Sequence, residues 1–85
     1  MNNTKELRTK ELNKLTTLMD RLERELSADW GLSGLSGGFV TISLDEYDNE
    51  KIFLTCIAGV QNDVEDRVDE YPLTVNRTTM TVVDA

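Results

Sequence analysis

The sequence predicts an α+β domain: a long N-terminal helix packed on a small antiparallel sheet of three or four strands, in the order α-β-β-α-β. Three observations carry this. Leu12, Leu15, Met19, Leu22 and Leu26 recur at 3-4-3-4 spacing, with Leu7 and Leu18 widening the stripe, which is the signature of an amphipathic helix. Phe39–Leu44 and Ile52–Ala58 alternate with period two across a polar, turn-forming stretch. A glycine-serine connector separates these two regimes. At 85 residues the chain is one domain, 1–85, with a helix over 4–29, a connector over 31–38 and an acidic, β-rich part over 39–85.

The helix has two candidate starts, Asn3 followed by Glu6 in a capping box, or Thr4 as N-cap. Trp30-Gly31 stops it, because glycine accepts the left-handed conformation that closes a helix. Residues 31–38, Gly-Leu-Ser-Gly-Leu-Ser-Gly-Gly, then allow the chain to reverse onto the sheet. In the first strand Val40, Ile42 and Leu44 share a side; in the second, Ile52, Leu54, Cys56 and Ala58 do. Ile42, Leu54 and Cys56 are expected to face the helix. Asp45–Glu50 forms the loop between these strands, and Gly59 ends the second one.

Asn62 with Glu65 makes another capping box, Val64, Val68 and Tyr71 fall at i, i+4 and i+7, and Pro72 follows. A short acidic helix over 63–70 is the expectation, with a strand as the competing reading. Leu73–Val83, rich in threonine and valine, reads as a strand that breaks at Asn76-Arg77 into a second hairpin.

Charge divides the chain. Residues 1–30 are neutral, with six basic and six acidic side chains, whereas residues 31–85 hold Lys51, Arg67 and Arg77 against ten acids. The acids bunch as Asp45, Glu46, Asp48 and Glu50, and as Asp63, Glu65, Asp66, Asp69 and Glu70, so a strongly negative face is expected. Such a face repels nucleic acid and anionic membranes and favours a basic protein as partner. Carried on a helix, the second cluster would hold carboxylates about 5–6 Å apart at the Cβ atoms.

Several chemistries fall away. The chain has no histidine and one cysteine, which removes the usual zinc ligands, the commonest general base and any internal disulfide. Cys56 lies in an apolar run and reads as a core residue. Gly34-Leu35-Ser36-Gly37-Gly38 spells a nucleophile elbow, but it follows a helix and precedes a strand, the reverse of what that motif requires. The Asp45–Glu50 loop departs from a calcium loop, with Tyr47 at a ligand position and no central glycine. No stretch is long and apolar enough to span a membrane, and a cytoplasmic protein without cofactor or metal is expected.

The functional expectation is a non-enzymatic domain that binds another protein. In size and charge the acidic half is similar to small acidic phage proteins that block restriction or CRISPR machinery by mimicking nucleic acid, a likeness of character with no shared motif. A basic, nucleic-acid-binding effector is the partner this resemblance implies. The alternative is a homo-oligomeric accessory protein whose acidity only keeps it soluble. A helix of about 39 Å would overhang strands of about 20–26 Å, leaving Leu12, Leu15, Met19 and Leu22 as a self-association stripe and the chain as a homodimer.

Overall fold

The computed structural model describes residues 4–83. One helix, α1 (Thr9–Asp29), packs on a four-stranded antiparallel meander of β1 (Gly38–Tyr47), β2 (Lys51–Gln61), β3 (Asp66–Asn76) and β4 (Thr81–Val83), in spatial order β1-β2-β3-β4. The fold is α+β as expected, and its element order is α-β-β-β-β.

The core lies between α1 and one face of the sheet. Leu15 and Leu18 meet Ile42, Ile52, Leu54, Cys56, Ala58, Val60 and Val75, all buried, so the face chosen for Ile42, Leu54 and Cys56 is the helix-facing one. Met19, Leu22 and Leu26 pack against this cluster from its margin. Leu32 and Met80 close its two ends.

The helix starts later than its apolar pattern. Asn3 lies outside the described residues, and residues 4–8 are not helical. A helix begun at Thr4 would need the carbonyls of Lys5 and Glu6 for the N–H groups of Thr9 and Lys10. Both carbonyls instead accept hydrogen bonds from the Arg77 guanidinium, at 2.8 and 3.0 Å. Arg8 takes the N-cap position with extended backbone, and its N–H donates to Glu11 Oε1 at 3.1 Å. At the other end, Gly31 (φ +69°) follows Trp30, Leu32 N–H bonds to Ser27 O and Gly31 N–H to Ala28 O, a Schellman closure.

The strands are longer than expected, and this removes the overhang. At 10 and 11 residues β1, β2 and β3 run about 33–37 Å, and the 21-residue helix runs about 32 Å. Helix and sheet therefore match in length. The first loop shrinks to residues 48–50, with a β-bulge between Leu44 and Glu46, and β2 continues past Gly59 to Gln61. A side chain at Gly59 would collide with the Arg67 carbonyl on the neighbouring strand, so glycine here admits close backbone approach rather than ending the strand.

The helix expected over 63–70 is absent. Those residues form a tight turn and the first half of β3, paired in register from Gln61↔Asp66 to Lys51↔Asn76. The side chain of Asn62 caps as the sequence suggests, but it caps a turn: its Oδ1 accepts the N–H groups of Val64 and Glu65, while Asn62 N–H bonds to Glu65 O. The same local bond serves a helix N-terminus and an Asx turn, and here pairing with the strongly apolar β2 decides between them. Val64, first of the supposed helical stripe, is 96% exposed at the turn tip. Pro72 lies inside β3 rather than after it. The break at Asn76-Arg77 is present, and the turn there returns β4 alongside Thr74–Asn76.

Candidate functional site

The meander puts the two acidic clusters at opposite ends of the sheet, which with the helix measures 49 Å along its long axis. Asp45, Glu46, Asp48 and Glu50 surround the β1–β2 turn, whereas Asp63, Glu65, Asp66, Asp69 and Glu70 surround the β2–β3 turn. The single negative face expected from the sequence is therefore two separate ends. All nine carboxylates are exposed.

These ends differ electrostatically. At the β1–β2 end Arg77 runs through the structure as a clamp. Its side chain is 7% exposed, and it donates to Glu11 Oε2 at 2.8 Å and Oε1 at 3.2 Å, and to the carbonyls of Lys5, Glu6 and Asp48. It also lies 5.4 Å from the centroid of the Tyr47 ring. These hydrogen bonds from Arg77, with the Arg8 N–H, bring the Glu11 carboxyl down from 4.5 to about 2. Asp48 is held below its usual value by the N–H groups of Lys51 and Glu50, which its Oδ1 caps at 2.7 Å each, so this acid closes a turn. Lys5, Arg8, Lys10 and Lys14 line a shallow open depression with Glu11, Asn49 and Arg77 at the same end. The first cluster thus sits beside most of the chain's basic side chains.

Little offsets the charge at the β2–β3 end. Arg67 is the only basic residue in the turn and first half of β3, and it stands 3.9 Å from Glu65 in a well-exposed pair. The last turn of α1 points here, carries no basic residue and ends on Asp29, so its carbonyl dipoles add negative potential. Because β3 is extended, the five acids are not a helical array. Asp66 and Glu70 share the face turned away from the helix, about 13 Å apart, and Asp69 points to the helix side. Beside Asp69, Trp30 and Tyr71 form a tilted ring pair with centroids 5.4 Å apart, and with Leu32, Ala58 and Arg67 they line a shallow hollow of about 130 Å³.

The proposed self-association stripe is mostly spent inside the protomer. Leu15 is buried against the sheet, Met19 and Leu22 pack on the same core, and Leu12, 42% exposed, alone remains open. Among the described residues no group of His, Cys, Asp or Glu is arranged to hold a metal ion. Cys56 is buried, and burial together with the nearby Glu23 pushes its thiol up. Among the described residues no helix is long and apolar enough to cross a membrane. No protein family, curated protein or solved structure matches the chain.

Sequence reasoning missed Arg77, Trp30 and Tyr71. Arg77 carried one signal: it is one of three basic residues in an acidic half and lies at a strand break. The aromatic pair had none, since its members are 41 positions apart and meet only because α1 ends over β3.

Proposed function

We propose that this chain is a non-catalytic protein-binding domain whose β2–β3 end seats on a basic surface of a nucleic-acid-handling protein, displacing the nucleic acid that surface normally holds. An inhibitor of restriction or CRISPR machinery is the most concrete form of this reading. The observation that carries it is the exposure of Asp63, Glu65, Asp66, Asp69 and Glu70 at one end, with a single 3.9 Å ion pair among them and the negative end of α1 beside them. Unneutralised charge of one sign, gathered at the tip of an elongated domain, steers association with a basic cleft and supplies register more than bulk affinity. Small size, no histidine and shallow depressions all favour binding over chemistry.

The test is competition. A protein that co-purifies with the tagged chain from its native host should bind nucleic acid, and the chain should displace that nucleic acid with an affinity that falls steeply as salt rises, because screening acts over about 8–10 Å. A partner bound equally well at low and high salt, or one that binds the chain and nucleic acid together, refutes the reading. Helix-mediated homo-oligomerisation has less support, since the stripe it invoked packs on the sheet.

A further inference from the structure

The sheet has two edges, and they are not equivalent. On β1 the Ile42 N–H, which points away from β2, is taken by Glu23 Oε2 of the helix at 2.8 Å. On β3 the partner strand β4 covers Thr74–Asn76, and among the described residues the edge from Asp66 to Leu73 has no neighbouring strand. The direction of each backbone group there follows from the ladder. Gln61 N–H bonds to Gly37 O on the β1 side, so the Gln61↔Asp66 pair is of the non-hydrogen-bonded kind, and the alternation runs on through β3. Asp66, Val68 and Glu70 therefore turn both N–H and C=O outward, into solvent. Pro72 occupies the same phase, where its missing N–H costs no internal bond.

We propose that this open edge of β3 is a strand-addition site that takes an extended basic segment of the partner protein. The inference rests on the acidic-binding reading for the partner's charge, and on the ladder for its mode. Unpaired edge groups supply the main-chain bonds of β-augmentation, and side chains on alternate faces supply the selectivity. On the face away from the helix an added strand meets Asp66 and Glu70 on either side of Val68, which calls for alternate lysine or arginine. On the helix face it passes the exposed Trp30–Tyr71 pair, which offers a large apolar side chain a surface to cover. A second copy of this chain fits less well. Antiparallel self-pairing about Val68 sets Asp66 against Glu70 twice, and pairing about Asp69 or Glu70 sets each acid against itself.

A short peptide of alternating lysine and valine tests this on the intact chain. Two copies of it, N-methylated at every lysine or at every valine, each lack the N–H groups along one edge only. Titrated into the isotope-labelled protein, the parent peptide should slow amide exchange at Asp66, Val68 and Glu70. One methylated copy should bind about tenfold or more weakly while the other binds like the parent, since several main-chain bonds are lost along one edge. Equal binding by both copies overturns strand addition and leaves the acidic reading standing. Equal binding by a serine-valine peptide overturns the basic partner. Slowed exchange at the same amides on raising protein concentration without peptide overturns the proposal in favour of a second copy.

Discussion

Truncating Leu54 separates the two faces of the sheet energetically. Leu54 is 2% exposed in the middle of β2, on the helix-facing side with Leu15 and Leu18, and Ile57, three positions on, is half-buried on the uncovered side. Leu54→Ala removes three buried carbons, about 2.4 kcal/mol at about 0.8 kcal/mol each, and leaves a cavity between two elements that cannot collapse freely, giving about 3–4 kcal/mol in all. A domain of this size has a total stability of about 4–13 kcal/mol, so the variant loses a large share of it. Ile57→Ala should cost about 1 kcal/mol, because solvent already reaches that site. Urea unfolding of the three proteins at neutral pH measures both values from the midpoints at constant slope. Equal losses at the two positions would refute the helix-facing assignment of β2 and with it the register of both ladders.

Two further outcomes follow from the titrating groups. Glu11, held at about 2 in the fold against an ordinary 4.5, stabilises the native state fully above pH 4.5 and loses that contribution as pH falls toward 2; Glu11→Gln should flatten the acid limb of a stability-against-pH curve measured by thermal unfolding, and an unchanged limb would count against the Arg77 clamp. Cys56, buried and with its thiol pushed up, should resist a thiol reagent at neutral pH in the folded protein and react fully in denaturant, read as the rate of thiol labelling; rapid labelling of the native chain would place Cys56 outside the core.

Much of this architecture is legible in the residues because local pattern and tertiary packing agree there. The leucine stripe, the two alternating strands and the break after Asn76 each carry a period or turn chemistry that packing then uses. The sequence misleads where one local signal serves two structures. Asn62 closes an Asx turn with the bonds that would cap a helix, and only the long pairing with β2 selects the turn. It also misleads at the helix start, since Lys5 and Glu6 give their carbonyls to a guanidinium more than 70 positions away. For the candidate site, composition identified the acids but not their arrangement. Separation into a compensated end and an uncompensated one depends on where the meander turns and where Lys5, Arg8, Lys10 and Lys14 come to rest.

The most direct test compares the two acidic ends in binding to the co-purified partner. One variant reverses Asp66, Asp69 and Glu70 to lysine; the other reverses Asp45, Glu46 and Glu50, sparing Asp48 because it caps the first turn. Dissociation constants measured at one salt concentration should rise about 100-fold or more for the first variant, as expected for about 1 kcal/mol per reversed contact, and stay within about threefold for the second. A larger loss for the β1–β2 variant, or none for either with both folds intact by circular dichroism, would contradict recognition at the β2–β3 end.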